Sequence, residues 1–209
     1  MRNMGFVFVV LFLLSANVQS EPDTTGKEYD YFSGLYLGGG LFFGITNLDT
    51  YIDNKKYLDG RHDQAGLKLH VGKRIDSDLR LEATFKKEKL NVGSRSFLSS
   101  FENDIFGFGL DVIKTYQLSS KLKPFASLGI SYHCTSLNDE IYAFSKDNLE
   151  GNGYKLGGGL IYQAKKGAEL KLGLEVQHRV WGKLKYELGD VVELEDNTIS
   201  FVTEVSLHL

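Results

Sequence analysis

Apolar residues recur in this chain at every second position. Leu35, Leu37, Leu41, Phe43 and Ile45 share one face, while Gly34, Tyr36, Gly38, Gly40, Phe42 and Gly44 take the other. Further on, Leu170, Leu172, Leu174 and Val176 alternate with Glu169, Lys171, Gly173, Glu175, Gln177 and Arg179. A period of two belongs to strands, whose successive side chains point to opposite faces, and not to helices. Such runs fall near 32–45, 64–75, 79–90, 104–117, 123–135, 153–164, 168–188 and 191–209. Asp76-Ser77-Asp78, Ser119-Ser120-Lys121 and Lys165-Lys166-Gly167 read as short polar turns. Thr46 to Asp63, Asn91 to Asn103 and Ser136 to Asn152 read as long, polar connections. The pattern predicts an up-and-down antiparallel array with short turns at one end and long loops at the other.

Composition narrows the class. The 209 residues carry 23 glycines, two prolines, 12% aromatics and one cysteine, with a net charge of −3. The slightly acidic balance argues against a nucleic-acid partner. A lone thiol makes neither an internal disulfide nor a zinc site. Residues 1–20, MRNMGFVFVVLFLLSANVQS, have a basic start, a short apolar core and a small residue, Ser20, at the end. That is the pattern of a cleaved secretory signal, with an apolar core too short to span a bilayer. The expected organisation is a signal at 1–20, a periplasmic segment at 21–31 and one β-domain at 32–209.

A soluble sandwich or a lipocalin-like barrel would also show alternation. The polar face argues for a membrane barrel instead. By register it carries Lys68, Arg74, Arg80, Glu82, Lys86, Glu88, Asp111, Lys155, Glu169, Lys171, Glu175, Arg179 and Glu204, nearly balanced in sign. Gly38, Gly40, Gly107, Gly109, Gly129, Gly157 and Gly159 share that face. An eight-stranded barrel has an interior just wide enough to be filled by side chains, so opposite charges there can satisfy one another. Arg74, Arg80, Glu82, Lys171, Glu175, Arg179 and Glu204 are the expected interior network. On the apolar face, Tyr31, Tyr116 and Tyr162 fall near the short-turn ends, and Phe43, Phe106, Tyr132 and Tyr154 near the long-loop ends. Two aromatic rings are expected where a lipid-facing band meets water on either side.

The last run ends in Phe201, Val205, Leu207 and Leu209, interrupted at Thr203. It is similar to the C-terminal signal by which bacterial outer-membrane barrels are recognised for insertion, although that signal usually ends in an aromatic residue. The opening SGLYLGGGL resembles the first strand of the OmpA/OmpX-like family of small outer-membrane barrels. The resemblance implies an eight-stranded transmembrane β-barrel in a Gram-negative outer membrane. It also implies contact with outer-membrane lipid, lipopolysaccharide and the barrel-assembly machinery, and surface display toward a host or cell-surface protein.

A crossing strand needs only about 9–11 residues. The seventh and eighth runs exceed this, and Gly189-Asp190 between them is a two-residue hairpin signal. A hairpin over 182–197, with Lys185, Tyr186, Leu188, Gly189, Asp190 and Val192, is expected to protrude beyond the rim with free edges.

Chemistry is sparse. His62, His70, His133, His178 and His208 form no H-x₃-H or H-E-x-x-H spacing. His178 falls on the lipid side about 28 Å from the short-turn end, at the far interface. A lipid A hydrolase would need a serine near it on the same face, yet Val176 and Val180 stand there. Ser131-Tyr132-His133 has suitable spacing but faces inward. The acidic residues Asp139, Glu140, Asp190, Glu193, Glu195 and Asp196 read as solvated loop positions able to meet divalent cations. No cofactor, metal or catalytic residue is expected. The leading expectation is a non-enzymatic surface protein with a packed polar interior; the alternatives are a small diffusion pore and, third, a lipid A-modifying hydrolase.

Overall fold

Nearly every residue of the computed structural model that can be placed lies in a strand. The structure describes 34–53, 55–91, 101–137, 148–165, 167–185 and 191–209. The expected signal and periplasmic segment lie outside the described residues, as do Tyr186, Leu188, Gly189 and Asp190 of the hairpin. The strands are β1 (Leu35–Ile52), β2 (Lys55–Arg74), β3 (Leu79–Asn91), β4 (Phe101–Thr115), β5 (Leu122–Leu137), β6 (Asn148–Lys165), β7 (Ala168–Trp181), β8 (Leu184–Lys185) and β9 (Val191–His208). Each strand from β1 to β6 pairs antiparallel with the next. β9 pairs with β7 on one side and β1 on the other, which closes the ring. The two-residue β8 continues the wall of β7 against β9, so the barrel has eight staves.

Short turns join the staves at one end. Between β2 and β3, the Asp76 carboxylate accepts the backbone N–H groups of Asp78 and Leu79, each at 2.7 Å. Those two bonds hold its carboxyl below the ordinary carboxylate range. Gly167, between β6 and β7, has φ +87°, a backbone conformation that glycine adopts without a Cβ clash. At the chain end, the Leu209 N–H donates to the Leu35 carbonyl at 3.0 Å and ties β9 to β1.

The polarity of the two faces reverses along the strands. On β9, the outward Ile199, Phe201, Val205 and Leu207 are exposed and the inward Asp196, Thr198, Ser200, Glu204 and Ser206 are buried. Beyond Asn197 the outward residues become Glu195 and Glu193, and the inward ones Leu194 and Val192. β1 reverses in the same way, with Asn47 and Asp49 outward and Leu48 and Ile52 inward above Ile45. From Ile199 to Leu207 the strand covers about 27 Å, or about 21 Å along the axis at a tilt of about 40°. That is close to the apolar band of about 25 Å found on outer-membrane barrels. The reversal therefore marks where the wall leaves lipid: outside the membrane, water is on the outer face and the apolar side chains turn in.

This reversal corrects the reading of Thr46 to Asp63 as a loop. β1 runs to Ile52, β2 starts at Lys55, and the two stay paired throughout apart from a bulge beside Thr50. β4 starts earlier, at Phe101, and β6 at Asn148. The hairpin expectation is corrected too. β9 keeps β1 as its partner up to Ile52↔Val192, so this edge of the hairpin is occupied. Val180 opposes Glu195 and Leu184 opposes Val192, which leaves three residues facing two. The bulge at 181–183 lets both Trp181 and Leu184 point inward.

Candidate functional site

The bore is filled from end to end by three zones. The middle and periplasmic zones are built on β3 and β7, which stand four staves apart and so face each other across the ring. On β3 the inward residues are Arg80, Glu82, Thr84, Lys86 and Glu88. On β7 they are Glu169, Lys171, Gly173, Glu175, Gln177 and Arg179. Charges alternate in sign along each strand, and the two alternations are complementary.

Four rungs cross the bore. Arg80 forks onto Glu169 at 2.5 and 3.2 Å. Lys171 donates to both carboxylate oxygens of Glu82 at 3.1 and 3.2 Å. Lys86 pairs with Glu175. Arg179 Nη1 donates to Glu88 at 2.7 Å. The first three rungs join residues 89 positions apart, the constant offset of two parallel staves. Where Thr84 and Gly173 break the ladder, Lys155 enters from β6, 2.7 Å from Asp111 and 3.3 Å from Thr84.

Struts from the remaining strands brace the ladder. Glu204 on β9 lies 3.0 Å from each of Lys68, Lys171 and His70. The Tyr36 hydroxyl donates to Glu82 at 3.0 Å. Arg74 donates to Glu169 at 2.7 Å. The structure thus gathers Arg74, Arg80, Glu82, Lys171, Glu175, Arg179 and Glu204 into one lattice inside the barrel. Within it lies a cavity of about 20 Å³, bordered by Lys68, Glu82, Asp111, Lys171, Glu175 and Glu204. That is the room of one water, not of a conduit.

The glycines serve this lattice in two ways. A Cβ on Gly107 would meet the His133 ring at 2.8 Å, and one on Gly109 would meet Thr84 and Lys155, so these positions leave room for large partners. A Cβ on Gly40 would lie 1.9 Å from the Thr203 carbonyl oxygen, and one on Gly44 2.1 Å from that of Ile199. There the backbone of β9 itself approaches β1, as a narrow ring requires.

At the outer end the bore turns apolar. Leu48, Ile105, Leu149, Trp181, Leu184, Val192 and Leu194 pack together inside the wall, with Ile52 and Leu90 against them. The Trp181 indole N–H donates to Asp196 at 2.7 Å, joining this cap to the polar zone below. Asp196 also accepts from Arg179 at 2.8 Å. Asp196 is therefore an inward structural acid, contrary to its reading as a loop position; Glu193, on the outward face, pairs with Lys183. Asp139, Glu140 and Asp190 lie outside the described residues.

Two arrangements have the residue types of chemical sites. Ser131 Oγ is 3.0 Å from His133 Nε2, and His133 Nδ1 is 3.4 Å from Glu88. His133 and Glu88 are each 1% exposed, and Gln177 donates to Ser131 at 2.8 Å. The set is buried in a packed bore: Glu88 is committed to Arg179, and His133 Nδ1 is left without a hydrogen-bond partner. His70, Glu82 and Glu204 bring three ligand-type groups together. Lys68 and Lys171 already neutralise the two carboxylates, so a divalent cation would add uncompensated charge to a buried site.

The outward face carries Phe201, Val205, Leu207 and Leu209, all exposed along β9. Phe43 and Tyr154 are exposed toward the outer end, Tyr116 and Tyr162 toward the turn end. His178 lies on the outward face level with Asn197, whose Oδ1 is 2.9 Å from its Nδ1, and the Tyr154 ring is 5.1 Å away. Among the described residues no carboxylate joins this group through a hydrogen bond. Sequence reasoning missed the cap and the specific rungs. The sign alternation on β3 and β7 was the signal for the rungs, readable only once the two strands are known to be opposite.

The family described as "Outer membrane protein beta-barrel domain" has a sequence model that matches residues 6–202. Several solved structures are similar in shape. Neisserial surface protein A is 16% identical, with 84% of this chain and 97% of that one covered and a TM-score of 0.49. The outer membrane protein OprG from Pseudomonas aeruginosa is 13% identical, with the same two coverages and a TM-score of 0.46. Ail, the attachment invasion locus protein of Yersinia pestis, is 10% identical, with 80% and 98% covered and a TM-score of 0.36. No curated protein matches in sequence. With a closed ring of eight antiparallel staves, a lipid-facing band and a family match over nearly its whole length, the chain belongs to the outer membrane protein β-barrel domain family and is a small barrel of the Gram-negative outer membrane.

Proposed function

We propose that this protein is a non-enzymatic scaffold that holds its outer end above the membrane for contact with a host or cell-surface partner. One observation carries the reading: the bore is crossed by ion pairs and capped by an apolar cluster, while β1, β2 and β9 continue past the lipid border as paired strands. Such a wall is a rigid pedestal. Residues placed on it gain a fixed geometry without the ordering cost that a flexible loop meets on binding. The diffusion-pore reading is disfavoured by the same filled bore. The hydrolase reading is disfavoured at the lipid side, where His178 has Asn197 as its partner and Val176 and Val180 as its same-face neighbours.

The test replaces residues 186–190, which join Lys185 to Val191 in sequence just before Val192, with Asn-Gly. That turn suits a two-residue hairpin and leaves the cap residues in place. Adherence of bacteria displaying the two forms to host-cell monolayers is then compared at equal surface levels. The expected outcome is a loss of adherence of at least fivefold with the barrel still folded. Equal adherence overturns the hairpin as the contact element.

A further inference from the structure

The border where the outer face passes from lipid to water is not uniform around the barrel. Its outward residues are Asn47 on β1, Asp63 on β2, Asp104 on β4, Ser136 on β5, Asn152 on β6, His178 on β7 and Asn197 on β9. Among the described residues β3 places two lysines there, while on β2 the outward Arg61 stands two positions above Asp63. Lys87 and Lys89 both point outward, two positions apart, just above Phe85. Both reach the same acid: Lys87 Nζ is 2.9 Å and Lys89 Nζ 3.6 Å from opposite oxygens of Asp104. One carboxylate thus serves two ammonium groups, and the Lys89 side chain remains 71% exposed.

Directly below, three phenylalanines form a continuous apolar surface on the lipid side. The rings of Phe85 and Phe106 are 6.3 Å apart, and those of Phe85 and Phe108 5.2 Å apart. The Lys87 ammonium stands 5.4 Å over the Phe106 ring, which fixes the cation at the upper edge of the aromatic surface. Ala83 follows Phe85 on the outward face of β3, opposite Leu110, so the wall recedes beneath the rings. The arrangement reads from water to lipid as two lysines on one shared acid, then an aromatic surface, then apolar wall with the small Ala83.

We propose that this outward strip of β3 and β4 is a binding site for a phosphorylated lipid of the outer leaflet. Its phosphate would sit between Lys87 and Lys89, and an acyl chain would lie on Phe85, Phe106 and Phe108. Charge and shape both select such an occupant. A soluble anion would use the lysines but gain nothing from the rings, and a neutral lipid would use the rings and leave the shared ammonium charge uncompensated. Asp104 competes with the phosphate for both lysines, so its removal strengthens binding. Basic groups at a membrane surface contribute about 1 kcal/mol each toward an anionic lipid, which corresponds to about fivefold in affinity per lysine.

The test uses the folded barrel in nanodiscs of zwitterionic phospholipid doped with lipid A, and native mass spectrometry to count retained lipid. The expected result is retention of bisphosphorylated lipid A in preference to the same lipid stripped of its phosphates. Lys87→Gln with Lys89→Gln should weaken retention about 25-fold, from the same fivefold factor per lysine. Asp104→Asn should strengthen it, and the turn-end control Lys73→Gln should leave it unchanged. Inorganic phosphate at millimolar concentration should not displace the lipid. Equal retention with and without phosphate groups, or an unchanged double variant, overturns the site. Displacement by free phosphate would also overturn it, reducing the strip to lysines that merely reach for water.

Discussion

At the scale of single residues, Arg179 and Glu175 show what burial demands of a charge. Arg179 is fully enclosed, yet its guanidinium meets Asp196, Glu88 and the Trp181 ring. Glu175 pairs with Lys86 and lies 3.8 Å from Lys68. A buried pair contributes little net stability against an apolar substitute, because desolvation offsets attraction. Removing one partner is different, since the other stays buried without compensation, at about 3–5 kcal/mol. Glu175→Ala should therefore lower the midpoint of urea unfolding in lipid vesicles sharply. Lys86→Ala combined with Glu175→Ala should recover part of the loss. A single variant as stable as the parent would mean that Glu175 is solvated. That Glu175 and Arg179 face inward was legible in the sequence, because they share parity with Glu169 and Lys171. Their partners were not, because each rung joins strands that are distant in sequence and opposite in the ring.

At the scale of the strand, parity proved more durable than polarity. Thr46, Leu48, Thr50 and Ile52 keep the inward parity of Gly38 to Gly44 along β1. Their chemistry changes because the solvent outside changes from lipid to water. Read as a pattern of polarity, that change resembles the end of a strand, which is why 46–63 looked like a loop. The run over 168–188 followed the seventh stave past the lipid border, but the bulge at 181–183 shifts parity within that wall, so that Trp181 and Leu184 both point inward. Glycine within the strands was legible as strand-compatible, but its reason was split: Gly107 and Gly109 on β4 make room for side chains, whereas Gly40 on β1 yields to the backbone of β9. A methyl group at Gly40, 1.9 Å from a carbonyl oxygen, has no flexible neighbour to displace. Gly40→Ala should prise the β1–β9 seam apart and cut the fraction of barrel that migrates as the compact, heat-modifiable form on cold SDS gels. Gly158→Ala has its nearest contact at 3.3 Å and should fold far more nearly like the parent. Equal yields from the two variants would show that the seam tolerates widening.

At the scale of the whole molecule, the bore contains two barriers in series, and series barriers make a specific statement about conduction. The ladder between β3 and β7 divides the lumen lengthwise with ion pairs, and the apolar cap closes the outer end above it. An ion passing the ladder would have to displace paired charges; one passing the cap would have to shed its water among Leu48, Leu149, Trp181 and Leu194. Either barrier alone is enough to stop flow. The folded barrel should be silent in planar bilayers. A variant losing two complete rungs (Glu82→Ser, Lys171→Ser, Lys86→Ser and Glu175→Ser) keeps its charge balance and its cap, and should remain silent. Trp181→Ala with Leu194→Ser opens the cap over an intact ladder and should be silent as well. Only the combination should give reproducible single-channel steps, provided that cold SDS gels confirm a compact barrel. Steps from the parent protein would mean that the ion pairs part under voltage, and would return the pore reading to the front. Steps from the ladder variant alone would mean that the apolar cap is not a seal, and that the pedestal is closed only where its charges meet.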